Sequence, residues 1–225
     1  MLDVRLPAGL ERHGRIESLA AGSAVNAART AARLGARAGI AGAIGGDSVG
    51  RAVELELTDG GVEAFLTRLG DASTGIAVYG ARVVADRGAN ALYIPASLPE
   101  ARVTLVSGYL TAAARDRAVE LASQLRAIDL QIAGEAPPAA AEVVLGPQID
   151  IEALAPHHAV VVSTLGAGGA VAIRGEERAA AEPRRVLEGS PVGAGDAFAA
   201  GFLLALVDGR PLDEALRAGC DAVLP

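Results

Sequence analysis

The chain has 225 residues, enough for one large domain with an appendage at roughly 150 residues per domain. Apolar residues make up 51% and charged residues 21%, which suits a chain with a sizeable core and excludes a disordered one. All 20 basic residues are arginine, against 27 acidic residues. A Walker-type phosphate lysine, a Schiff-base lysine and a lysine general base are therefore excluded, and a net charge of −7 lacks the basic footprint of nucleic-acid binding.

Taken from the N-terminus, Met1 to Arg5 carries a carboxylate at Asp3 and nothing like the apolar core of a signal peptide. Ser23 to Leu34 reads as a helix, with Ser23 as N-cap and Gly35 as the stop. Ala38 to Ile44 is a short apolar strand, and Asp47 or Ser48 can cap a second helix running to about Leu57. From Thr74 to Ile94 apolar and polar residues alternate, with glycines at 75, 80 and 88, so this segment predicts hairpin structure outside the main sheet. Val103 to Val106 is a strand, Thr111 to Arg126 a helix and Val143 to Leu145 another strand. Val160 to Thr164 is a β-branched run closed by a Gly-rich turn, the pattern of a buried strand. Two helices, Asp196 to Asp208 and Leu212 to Gly219, end the chain. Strands interleaved with helices predict an α/β fold, three layers deep, with a mostly parallel sheet and a small β-appendage placed as a lid.

Other features narrow the class further. One cysteine, Cys220, supports neither an internal disulfide nor a CxxC metal site, which points to a reducing cytoplasm. Six aromatics without tryptophan are too few for a base-stacking platform. The strongly apolar run Ala197 to Val207 is far short of the ~20 residues a membrane span needs. Neither a membrane nor a nucleic acid is expected as partner.

No GxGxxG occurs, so the dinucleotide fingerprint is absent. The run Gly193-Ala194-Gly195-Asp196 enters an apolar helix. Its small residues let backbone N–H groups converge where the helix dipole is positive, a nest suited to a phosphoryl group. Asp196 stands beside that nest, placed to take a proton from an attacking alcohol. The competing reading is a glycine-rich loop leading to a helix that Asp196 merely caps. Gly46-Asp47-Ser48-Val49-Gly50 fits a nucleophile elbow, but His157 and His158 precede their strand and so lie at the wrong edge of a parallel sheet for a hydrolase. Arg29 and Arg33 repeat at helical spacing on a polar face and read as solvent-facing; Phe198 and Phe202 read as core.

The segments Ala21-Gly22-Ser23-Ala24-Val25-Asn26-Ala27-Ala28, Arg33-Leu34-Gly35-Ala36 and Gly45-Gly46-Asp47-Ser48-Val49-Gly50, followed by the Gly193–Asp196 run, closely resemble the ribokinase-like (PfkB) family of sugar kinases. Ser107-Gly108-Tyr109 and Thr164-Leu165-Gly166-Ala167-Gly168-Gly169-Ala170 fit it as well. The resemblance covers nearly the whole chain. It implies a single ribokinase-like domain over 1–225, with a lid insertion at about 72–98 joined by part of 3–20. It implies ATP and Mg²⁺ as cofactors and transfer of phosphate to a hydroxyl of a small sugar or sugar derivative. Asp196 matches the catalytic base, with Gly193, Ala194 and Gly195 as its anion hole. Asp3, Gly22 and Asn26 match substrate-binding positions, and Thr164 and Gly166 the nucleotide site. Pairing of two copies through the lid is a further expectation. The alternatives are a nucleoside kinase of the same fold, or a catalytically impaired relative that acts as a binding protein.

The sequence departs from the family in several places. The apolar strand expected before Asp3 is absent, which predicts a sheet without its central strand. The interval between Arg126 and Ala159 reads as too short, and it lacks the Asn-x-x-Glu motif that organises Mg²⁺ in relatives; Asp150 and Glu152 are the candidates left there. Ser190 occupies a position often held by Asp in relatives activated by monovalent cations. The chain stops inside the last helical region, so a shortened C-terminus is expected too.

Overall fold

The computed structural model describes residues 1–5, 17–79, 83–131, 136–185 and 192–224. The chain opens with strands β1 (Leu2–Arg5) and β2 (Glu17–Ala20) and helix α1 (Ser23–Arg33). Strand β3 (Gly39–Gly45), helix α2 (Ser48–Asp59) and strand β4 (Glu63–Leu69) form a parallel β-α-β unit. A hairpin of β5 (Thr74–Tyr79) and β6 (Val83–Gly88) follows, then the short helix α3 (Ala89–Leu92). Next come β7 (Val103–Ser107), α4 (Ala112–Leu121), β8 (Leu125–Asp129), β9 (Val143–Pro147), α5 (Ile151–Leu154) and β10 (Val160–Thr164). Strands β11 (Ala170–Arg174) and β12 (Glu177–Ala181) precede helices α6 (Ala194–Val207) and α7 (Leu212–Ala222).

Three sheets result among the described residues. The largest has the order β12-β11-β10-β9-β8-β7, parallel from β7 to β10 and antiparallel beyond. β3 and β4 form a parallel pair of their own. The third sheet, β2-β1-β5-β6, gathers the N-terminal strands with the hairpin and is antiparallel except for β1 against β5. The parallel strands thus fall into two groups rather than one continuous sheet. β7 pairs with β8 and β3 with β4, and each keeps an edge with no partner strand among the described residues. Helix α1 packs across both β3 and β7 and bridges the two groups.

The large sheet is covered on both faces, which explains why its strands are nearly uninterrupted apolar runs. Val143 and Leu145 of β9 point into one core with Phe198, Phe202, Leu212 and Leu216 of α6 and α7. The residue between them, Val144, points the other way, to Val119 of α4 and Ile128 of β8. Phe198 and Phe202 stack with centroids 6.0 Å apart, core residues as their spacing suggests.

Two sequence readings are corrected here. The helix expected over Thr111–Arg126 stops at Leu121, and Leu125–Asp129 is the strand β8. Ala127 and Ile128 are completely buried on opposite faces of the sheet between β7 and β9, and that pairing overrides a helix-prone composition. The interval between Arg126 and Ala159 consequently holds most of β8, all of β9 and α5. Arg29 and Arg33 also do not face solvent alone. Arg29 donates to the Ala20 carbonyl (2.6 Å) and to Glu56 (2.6 Å), whose other oxygen accepts from the Ala20 N–H (2.7 Å). Arg33 donates to the carbonyls of Ala222 (2.6 Å) and Leu224 (3.1 Å) at the end of α7.

The Gly-Gly-Asp segment proves to be a joint. Asp47 caps α2 by accepting from Gly50 N–H (2.8 Å), and it also accepts from the N–H and hydroxyl of Thr74 (2.8 and 2.7 Å). The Thr74 oxygen in turn accepts from Gly45 N–H (2.9 Å). The start of β5 is thereby fastened to the β3–α2 turn, and these three donors hold the Asp47 carboxyl down at about 2.

Candidate active site

The parallel direction of β7 to β10 puts Ser107, Asp129, Pro147 and Thr164 at one edge of the large sheet. Helix α6 begins beside α1, and the two pack along each other. Its N-cap is Gly193, at φ 87°, a left-handed conformation that any side chain would strain. A Cβ there would come within 3.0 Å of the Asn26 amide nitrogen. A Cβ on Gly195 would meet nothing within 4 Å, so the first turn of α6 opens onto free space. Its first N–H groups have no intrahelical acceptor.

Asp196 lies in that first turn and is 7% exposed. Its carboxylate does not cap its own helix. One oxygen accepts from the Asn26 amide at 2.8 Å, and the Ser23 hydroxyl is a further donor. Both partners sit on the first turn of α1, which starts after Gly22 at φ 114°. Burial pushes the Asp196 carboxyl up from the ordinary range, and the bonds from Ser23 and Asn26 oppose that rise. A desolvated carboxylate kept ionisable by two donors is a base of raised strength held in a fixed direction.

Asp129 is the site residue that sequence reasoning missed. It ends β8, is 5% exposed, and burial together with the Asp196 charge pushes its carboxyl up to about 7; a bond from the Gln131 amide partly opposes this. The signal is an aspartate closing the short run Leu125–Asp129, hidden because the first two residues of that run fall inside the helix expected over Thr111–Arg126. Tyr109, in the turn after β7, also feels Asp196 and Asp129, which together with burial raise its phenol.

The remaining candidates sit as follows. Asp3 is 1% exposed in β1, opposite Leu19 and Ala77 in the small sheet. Gly22 and Asn26 lie at the start of α1, with Gly22 against Met1. Thr164 closes β10 at the sheet edge, and Gly166, at φ 60°, begins a single 3₁₀ turn running to Gly168. Asp150 caps α5 by accepting from Ala153 N–H, while Glu152 pairs with Arg178 on β12, so both carboxylates are committed elsewhere. No group of three metal-ligating side chains gathers among the described residues. Ser190 lies outside the described residues. No described helix is long and apolar enough to cross a membrane.

Comparison with known proteins adds to this geometry. The family described as pfkB family carbohydrate kinase matches residues 3–131 and 141–222. No curated protein matches the sequence. Among solved structures, ribokinase from Thermotoga maritima superposes with a TM-score of 0.82 at 18% identity, covering 99% of this chain and 88% of that one. Adenosine kinase from Sinorhizobium meliloti gives 0.81 at 21% identity, with 99% and 90% covered. Arabidopsis thaliana ribokinase complexed with ribose and ATP gives 0.78 at 20% identity, with 99% and 87% covered. At these identities the likeness speaks for the fold.

Proposed function

The chain belongs to the pfkB family of carbohydrate kinases, and from that premise we propose that it transfers the γ-phosphate of ATP to a hydroxyl of a small sugar or sugar derivative. The observation that carries the reading is the placement of Asp196. It is buried at the N-terminus of α6, aimed by Asn26 and Ser23, and immediately follows a Gly-Ala-Gly turn that leaves backbone N–H groups open to an anion.

The Asp196 carboxylate takes the proton of the acceptor hydroxyl as that oxygen bonds to the γ-phosphorus and the bond to ADP breaks. The N–H groups at the Gly193–Gly195 turn, at the positive end of the α6 dipole, stabilise charge on the phosphoryl oxygens. Asn26 keeps the base in its reactive direction. Asp3 and the start of α1 at Gly22 hold the other acceptor hydroxyls. Thr164 and the turn at Gly166 lie at the carboxyl edge of the sheet, where the nucleotide is placed. The small sheet then acts as the lid that keeps water from the transferring phosphate.

Mg²⁺, when bound, would enter with the nucleotide phosphates and would neutralise their charge. Asp150 and Glu152 are bound elsewhere and are not assigned to it.

The test is ADP release from Mg-ATP over a panel of pentoses, hexoses, keto-deoxy sugar acids and nucleosides, with Asp196→Asn in parallel. A sugar-dependent rate that collapses in the variant supports the reading. Turnover confined to nucleosides would replace the acceptor class and keep the mechanism, a second reading favoured by the adenosine kinase likeness. No turnover with any acceptor would sink the kinase reading and leave a binding protein on a kinase fold.

A further inference from the structure

The chain is poor in aromatics, at 3%, and three of the six are packed inside: Phe198 and Phe202 stack in the core and Tyr93 is 7% exposed. Tyr109 is 49% exposed, yet the turn that carries it is fixed on every side. Gly108 N–H donates to the Asp129 carbonyl (2.8 Å), and a Cβ on Gly108 would collide with that same carbonyl oxygen. Leu110 N–H closes the turn onto Ser107 (3.2 Å). Arg115, from α4, donates to the Gly108 carbonyl (3.4 Å), and Arg87, from β6 of the small sheet, donates to the Tyr109 carbonyl (2.6 Å).

A rigid backbone presenting an open aromatic ring is an arrangement for contact rather than for packing. The turn follows β7 at the sheet edge where Ser107 pairs with Asp129, and the Gly108 bond to the Asp129 carbonyl seats Tyr109 beside that carboxylate; burial, with the charges of Asp196 and Asp129, raises its phenol. The ring therefore borders the place where the acceptor must lie for Asp196 to reach it. A sugar ring has hydroxyls around its rim and an apolar C–H face, and it needs both kinds of partner. Carboxylates and amides serve the rim; an aromatic face serves the other, at a cost of only two side-chain torsions.

We infer that Tyr109 is a specificity-determining residue of the acceptor site, its ring face taking the C–H face of a furanose or pyranose. Arg87 is a positioning residue that ties this wall to the small sheet. The inference rests on the kinase reading, but its test needs no turnover: binding of acceptors without ATP is measured by titration calorimetry, while ADP release decides the kinase reading separately.

The probes are ribose, fructose and adenosine, against the wild type, Tyr109→Ala and Tyr109→Phe. Because the ring is half exposed, both variants keep the fold, which circular dichroism checks. Tyr109→Ala should weaken binding about tenfold or more, the scale of losing an aromatic stacking partner. Tyr109→Phe should stay within about threefold, because the ring and not the hydroxyl makes the contact. Ribose and adenosine should lose equally, since the sugar is common to both. Three results would overturn the inference: alanine within about twofold of wild type for every acceptor, a loss confined to adenosine, or no acceptor bound by the wild type at about 10 mM.

Discussion

The amide of Asn26 donates to the carboxylate of Asp196 across 2.8 Å, joining two helix N-termini that are 170 residues apart in sequence. α1 contributes the donors and α6 the acceptor, so the Asp196 carboxylate is held in this direction only when the two helices are packed.

Asp196→Asn should lower kcat by about 10²–10⁴-fold, the range for a positioned general base, with little change in the KM for acceptor. Asn26→Ala is the more discriminating variant. Removing a donor from the ionised carboxylate leaves burial less opposed, so the Asp196 carboxyl should rise further. The acid limb of the kcat–pH profile should then shift to higher pH, with the plateau rate partly retained. An unchanged limb would mean that Asn26 holds substrate and does not set the base.

Asp129 makes a prediction about stability. Its carboxyl stands at about 7 in the folded chain, against roughly 3.9 in an unfolded one. The folded state therefore binds the extra proton between those values, and stability falls as pH rises from about 4 to about 7, then levels off. Asp129→Asn keeps an oxygen for the Gln131 amide and removes the charge. The variant should melt several degrees above wild type at pH 8, with the gap closing by pH 4. A gap that is the same at both pH values would assign the effect to something other than the buried charge.

Much of this architecture is legible in the residues, and the exceptions share a cause. The start of α6 is visible because two glycines precede an uninterrupted apolar run, and α2 because Asp47 caps it. β8 is hidden because Ala112 to Arg126 has helix-forming composition throughout, and only pairing with β7 and β9 selects the extended form. Once that strand is missed, Asp129 at its end is missed with it. Arg29 shows a second limit. Its spacing from Arg33 tells that the two share a helix face, but not that Ala20 and Glu56 lie against that face. Periodicity reports orientation within an element; the partner across the gap is tertiary information.

The Arg29–Glu56 pair replaces a neighbouring strand at Ala20, accepting its N–H and donating to its carbonyl. Ala20 is fully buried. Glu56→Ala should therefore leave a buried N–H without an acceptor and cost about 1–3 kcal/mol, a loss of roughly 2–12 °C in Tm for a chain of this size. The ion pair itself is partly exposed and adds little. Glu56→Gln should accordingly retain most of the stability, because an amide oxygen still accepts from Ala20. Equal losses in the two variants would transfer the effect from the hydrogen bond to the charge.

Two glycines, two residues apart on the same turn, should respond in opposite ways in stability. Gly193→Ala forces a side chain into a left-handed position, costing about 1–2 kcal/mol, and drives its Cβ against the Asn26 amide. Both Tm and kcat should fall, since the displaced amide is the one that aims Asp196. Gly195→Ala meets no neighbouring atom, and alanine is the better helix former, so Tm should hold or rise slightly. Its methyl group, however, stands in the open space before the helix N-terminus, where the proposed function places the phosphoryl group. Turnover should therefore fall at unchanged stability, most visibly as a raised KM for ATP. Full activity in Gly195→Ala would move the phosphoryl site away from the α6 terminus, and that outcome would remove the anion-hole role from Gly193 and Ala194 as well.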